Sequence, residues 1–110
     1  MKIDELTIKE ARELATLFGG ARNDHPFNIG ANYFIRTVTH HFTGRLVHVT
    51  TQELVLEQAA WIADDGRFSD ALKKSEFAEV EPFPSKQKVI LGRGSIIDAV
   101  EIETLPCSQK

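Results

Sequence analysis

The stretch Thr43-Gly-Arg-Leu-Val-His-Val-Thr-Thr-Gln-Glu-Leu-Val-Leu-Glu-Gln-Ala-Ala-Trp-Ile-Ala63 places apolar residues on either side of a short polar break. Before the break Leu46 and Val49 stand among polar neighbours. After it Leu54, Val55, Leu56, Ala59, Ala60, Trp61 and Ile62 form a denser apolar run, as expected of a strand buried on more than one side. The two halves read as paired strands at the middle of a small β-barrel.

Upstream, Tyr33, Phe34, Ile35, Thr37, Val38, Thr39 and Phe42 are β-branched or aromatic, which predicts a long strand from Asn32 to Phe42. Thr43-Gly44 then marks a turn or a bulge. A turn makes two strands here, whereas a bulge makes one long strand that bends. The turn is the expectation, with the bulge as its alternative.

Downstream, Asp64-Asp65-Gly66 breaks the pattern, and Arg67 to Ser75 reads as a short helix with Phe68, Ala71 and Leu72 inward and Asp64 or Asp65 near its start. Phe77, Val80 and Phe83 follow, interleaved with Glu76, Glu79 and Glu81. Pro82 and Pro84 hold that segment extended and restrict it to an edge or to a crossing of the barrel. From Asp64 to Glu81 there are six acidic and three basic residues, so this insertion, about residues 64–87, is acidic. Two last strands are expected at Lys88–Leu91 and Ser95–Ile102, joined by Gly92-Arg93-Gly94, a tight turn that lifts the Arg93 side chain off the rim. The tail from Glu103 to Lys110 is expected to fray.

At the other end, Thr7 and Glu10 have capping-box spacing and Gly19 and Gly20 close a helix over 7–18. Ile8, Ala11, Leu14, Ala15, Leu17 and Phe18 form its apolar stripe, which packs on this chain's barrel or on a neighbouring subunit. The connector from Gly19 to Gly30 is a loop.

A chain of 110 residues is read as one domain, 1–110, with the barrel over about 32–102. A net charge of -3, from 13 Lys and Arg against 16 Asp and Glu, gives no long-range attraction to a polyphosphate. With a single cysteine, Cys107, there is no disulfide framework. No apolar run approaches the roughly eighteen residues that span a bilayer, and a reducing, cytoplasmic setting is expected.

Titratable residues offer few constellations. His40, His41 and His48 lie in one region, and a turn at Thr43-Gly44 puts His41 and His48 on the same side of a hairpin. A zinc site needs three or four convergent ligands, and none joins them at a recognisable spacing. Asn23, Asp24 and His25 read as turn residues, and Asp64 and Asp65 as carboxylates at a helix start. Gly-x-Ser-x-Gly and phosphate-cradling glycine loops are absent from the sequence. Neither an enzymatic activity, a metal nor a cofactor is expected.

With these residues in view, the chain resembles the Sm-like (LSm) small-barrel proteins, whose five-stranded, strongly bent SH3-like sheets follow an N-terminal helix. Phe42-Thr-Gly-Arg-Leu-Val-His-Val49 with Leu54-Val-Leu-Glu-Gln-Ala59 looks like the first family motif. Val89-Ile-Leu-Gly-Arg-Gly-Ser-Ile-Ile97 looks like the second, an Arg-Gly turn between the last two strands. The middle, with Asn32-Tyr-Phe-Ile-Arg36 and Ala59-Ala-Trp-Ile-Ala-Asp64, also resembles uncharacterised small barrels of phage and prophage origin grouped with that fold. The resemblance implies a five-stranded barrel with a short helical insertion between strands 3 and 4. It also implies a homo-oligomeric ring closed by pairing the fourth strand of one subunit with the fifth of the next, through Val89, Ile90, Leu91, Ile96 and Ile97. Trp61 is a further interface candidate.

For ligands, the resemblance implies uridine-rich RNA at the inner rim, held by the Arg of the Arg-Gly turn and by an Asn between strands 2 and 3. The first is Arg93, followed by Gly94. The second position falls on Gln52 or Glu53, and a carboxylate there repels phosphate. Three classes follow: an oligomeric scaffold or assembly protein of phage or prophage type, an RNA-binding ring, and an enzyme or metal protein. The scaffold is the leading expectation.

Overall fold

The computed structural model describes residues 25–110. Its elements are β1 (Asn32–Thr37), β2 (His41–Val49), β3 (Glu53–Asp64), α1 (Phe68–Lys74), β4 (Glu79–Pro82), β5 (Val89–Gly92), a 3-10 turn (Arg93–Ser95) and β6 (Ile96–Glu101). The helix expected over 7–18 lies outside the described residues, as do Asn23 and Asp24. No helix among the described residues is long and apolar enough to cross a membrane.

All strand pairs are antiparallel, in the order β4-β3-β2-β1-β6, with β5 also on β3. The long β3 therefore carries two partners on one side: β5 along Glu53–Leu56 and β4 along Ala60–Asp64. In a flat sheet β5 and β6 would lie four strand spacings apart, about 19 Å. They are joined only by the 3-10 turn Arg93–Ser95, a link of roughly 8 Å at about 2 Å per residue. The sheet must therefore curl. It does not close, since no ladder joins β5 to β6 among the described residues.

This corrects the expectation of a five-stranded barrel, while the mainly β class and the strong bend of the sheet stand. Among the described residues there are six strands, because the acidic insertion contributes β4 as well as a helix. Pro82, paired with Ala60, sits in that edge strand, where its missing N–H costs no ladder bond on the outer side.

Curling divides the apolar residues into two cores. Tyr33, Ile35, Leu46, Leu54, Leu56, Ala59 and Leu91 fill the concave side. Phe34, Ala60, Ile62, Ala71, Phe77, Val80 and Ile102 pack on the convex side, under α1, with Leu72 and Leu105 against them. Successive β1 side chains point to opposite faces, and both faces are covered, which is why Tyr33, Phe34 and Ile35 are all buried.

The dense run in β3 shows the same division, shifted by one residue at a bulge. Arg45 pairs with Glu57 and Thr43 with Ala60, so Gln58 and Ala59 together oppose Gly44. Gln58 takes φ 50 to make the extra step. Leu54, Leu56 and Ala59 consequently face the concave core, and Ala60 and Ile62 the convex one.

Several expectations are corrected. Thr43-Gly44 is not a turn: β2 runs straight through it, and the hairpin closes earlier, at Val38–His40. Thr37 decides this, because its Oγ1 accepts the His40 N–H (3.0 Å) and donates to the His40 carbonyl (2.6 Å). A side chain that satisfies a turn outweighs the β-propensity of Val38 and Thr39, and the single strand predicted over 32–42 becomes two. Phe68 is not inward but 46% exposed, with the Arg36 guanidinium 4.8 Å above its ring. Asp64 and Asp65 do stand just before α1, as expected, but neither side chain bonds its N-terminus, whose N-cap position is Arg67. The Asp64 Oδ1 instead accepts the Gly66 N–H (2.9 Å), closing the loop before the helix. Finally, the tail is docked: Lys110 and Val80 exchange two backbone hydrogen bonds of 3.0 Å each.

Candidate functional site

The β2–β3 turn is built by Thr50, whose Oγ1 accepts the Glu53 N–H (2.9 Å) and the Gln52 N–H (3.3 Å), while its own N–H donates to the Glu53 carbonyl (2.9 Å). Glu53 pairs with Gly92, so the next residue, Arg93, arrives over this turn. Its N–H donates to the Gln52 carbonyl (2.8 Å) and its Nη1 to the Thr50 carbonyl (2.7 Å). The residues expected at a rim, Gln52, Glu53, Arg93 and Gly94, are thereby brought to one end of the sheet.

Arg93 is not lifted away from the rim, however. Its guanidinium is fastened to Thr50 and stands 5.5 Å from the centre of the Phe27 ring. The turn itself is present, but the side chain does not project, because a planar donor next to a free carbonyl and an aromatic face gains more by binding both than by reaching into water. Phe27 and Thr50 belong to this rim and were missed by sequence reasoning. Phe27 follows His25-Pro26 without periodicity, whereas the Thr50-Thr51-Gln52 run did carry a turn signal. Glu53 is exposed and forms no ion pair among the described residues, so a carboxylate stands beside the tethered Arg93 at this rim.

The two strands that meet at this rim leave edges unpaired. β5 bonds only to β3, and β6 only to β1, among the described residues. Of the expected interface residues, Leu91 belongs to the concave core, and Val89 and Ile96 pack against it. Ile90 (62% exposed) and Ile97 (64% exposed) point outward. Ile97 is the extra residue of a second bulge, between the pairs Thr37–Ile96 and Arg36–Asp98. Trp61 lies elsewhere, in the half of β3 that pairs with β4, its ring 6.0 Å from that of His40.

The histidines do not converge. His41 Nδ1 meets both oxygens of Asp65, at 2.8 and 2.9 Å, which ties the loop before α1 to the start of β2. His40 Nδ1 contacts Thr39 Oγ1 (2.8 Å), and His48 is exposed. Beside His41, Arg36 and Asp98 form an ion pair through two hydrogen bonds across β1 and β6. The hydrogen bond from Arg36 holds the Asp98 carboxyl below the usual aspartate range and raises the Arg36 guanidinium in return. Among the described residues, no group of three His, Cys, Asp or Glu side chains is placed to hold a metal ion.

Chemically, this end of the molecule offers apolar strand edges and a fastened turn. Compared with known proteins, the chain matches no family model and no curated protein.

Proposed function

We propose that this chain is a non-enzymatic Sm-like barrel protein that assembles into a homo-oligomeric ring and serves as a scaffold or assembly component of phage or prophage type, in a cytoplasmic setting. The observation that supports it is the pair of edges on β5 and β6 that have no strand partner among the described residues, joined by one turn and carrying the exposed Ile90 and Ile97. An open edge with apolar side chains is a template for another strand. Pairing β5 of one copy with β6 of the next uses two different surfaces of each chain, so the contact repeats from copy to copy and makes a ring when the rotation between copies closes. Molar mass by light scattering after size exclusion tests the reading. A mass of several chains, stable on dilution, supports it; a monomer at all concentrations overturns it.

A second reading, RNA binding at the rim, draws on the gathering of Arg93, Gly94, Gln52 and Glu53 around one turn. It requires salt-dependent binding of oligouridylate that weakens in Arg93→Ala and strengthens in Glu53→Asn, where a repelling carboxylate is removed.

A further inference from the structure

At the far end of the sheet, β4 is an edge of a different kind. Its inner side pairs with β3 through Ala60–Pro82, Trp61–Glu81 and Ile62–Val80. On its outer side the Val80 N–H donates to the Lys110 carbonyl and the Val80 carbonyl accepts the Lys110 N–H. That reciprocal exchange is the hydrogen-bonded pair of an antiparallel ladder. The register is confirmed one residue away, where Gln109 Nε2 donates to Glu81 Oε1 (3.2 Å). Leu105 anchors the tail on the convex core. Between tail and sheet, Ala59, Pro82, Phe83, Leu105, Pro106 and Cys107 line a cavity of about 260 Å³.

The tail fits this edge poorly. Val80 is 1% exposed and faces the convex core, so a residue paired with it lies on the same face and is best apolar. The tail puts Lys110 there. Glu79 and Glu81 alternate to the opposite face, exposed, and take part in no ion pair among the described residues. Cross-strand partners for two carboxylates are best basic, and the tail offers Glu81 the neutral Gln109.

We propose that the outer edge of β4 is the docking site for an extended basic–apolar–basic segment of another protein, and that residues 105–110 cover this edge until such a segment displaces them. The site adds a strand to β4, leaves the β5 and β6 edges untouched, and is independent of the ring reading. The tethered tail competes at an effective concentration of the order of millimolar, so it sets a threshold that only a better-matched segment passes.

The test uses the full chain and an acetylated, amidated Thr-Arg-Ile-Arg-Thr peptide, read by amide hydrogen exchange. In excess peptide the Lys110 N–H loses its protection while the Val80 N–H keeps it, because one partner has replaced the other. The same peptide N-methylated at isoleucine lacks the donor to the Val80 carbonyl and binds about tenfold or more weakly. Leu105→Ser in the full chain loosens the tail and tightens peptide binding by about tenfold, since more molecules have the edge open. Absence of binding to both proteins, equal binding of the N-methylated peptide, or loss of Val80 protection together with that of Lys110 overturns the proposal.

Discussion

Gly44 on β2 lies so close to Leu56 on β3 that a β-carbon on the glycine would stand 2.9 Å from the leucine β-carbon and 3.0 Å from its Cδ1. Ala59 completes the contact, its β-carbon 3.3 Å away. The two β-carbons are fixed to the β3 backbone, Leu56 paired with Leu46 and Val89 and Ala59 in the bulge, and both residues are buried in the core, so they cannot move without shifting the strand. Gly44→Ala is therefore expected to destabilise the fold by about 1–3 kcal/mol, the range for overpacking a filled core. Chemical denaturation measures it as a lowered midpoint with unchanged slope. An unchanged midpoint would mean that β2 and β3 separate at this point without cost.

How much of this was legible in the sequence differs from one segment to the next. The paired strands on either side of Thr50–Gln52 were readable because β2 and β3 bury the faces their apolar residues mark. So were the short helix and the last two strands, whereas Glu79–Pro82 was readable only as an extended segment kept out of the sheet interior, with an edge and a crossing of the barrel both open. Gly44 was visible as a special position, but choosing bulge over turn required knowing that the extra residue sits on the other strand, at Gln58. The split at Thr37 was hidden because its hydroxyl acts on the backbone of His40, which competes with strand formation without altering the apolar pattern. Docking of the tail was hidden too, since a single backbone pair at Val80 and one leucine leave no periodic trace. At the rim, the Arg-Gly turn marked Arg93, whereas its destination depended on Phe27, far away in the chain.

The Arg36–Asp98 ion pair makes stability depend on pH in one direction. Its hydrogen bond lowers the Asp98 pKa in the folded state, so the contribution is present above the unfolded value, near 4, and is lost as pH falls through the lowered folded value. Both side chains are well exposed, 33% and 46%, which limits the pair to less than about 1 kcal/mol. Asp98→Asn is expected to cost that amount at neutral pH, with the gap from wild type narrowing only below about pH 4. Arg36 stays charged throughout and adds no second step. Paired thermal melts across that range check it, and a gap that persists undiminished into strong acid would assign the effect to packing against Phe68.

Arg93→Ala separates a structural from a solvent-facing arginine. Removing the guanidinium abandons the Thr50 carbonyl and the face of Phe27, at an expected cost of about 1–2 kcal/mol. Hydrogen exchange at Gln52 and Glu53 should quicken at the same time, because Thr50 loses one of the two elements that hold its turn. Arg93→Lys restores little, since one ammonium cannot serve a carbonyl and a ring in the same fixed geometry. Unchanged stability and exchange in Arg93→Ala would show a side chain that swings freely, and would strengthen the RNA reading at the expense of the one described here.

The ring reading makes its sharpest demand on Ile90. Its side chain is 62% exposed in the single chain, opposite Val55 across the β3–β5 ladder, so Ile90→Lys sacrifices little within one subunit. In a ring it places an ammonium on each shared edge, next to the outward Ile97 of the neighbour, and burying a charge there without a partner is costly. The mass should collapse to that of a monomer while the circular dichroism stays that of wild type. Val38→Lys serves as the control, being still more exposed at 70% but located in the β1–β2 turn, outside both edges. A ring that survives Ile90→Lys, or falls apart equally in both variants, would remove β5 from the interface.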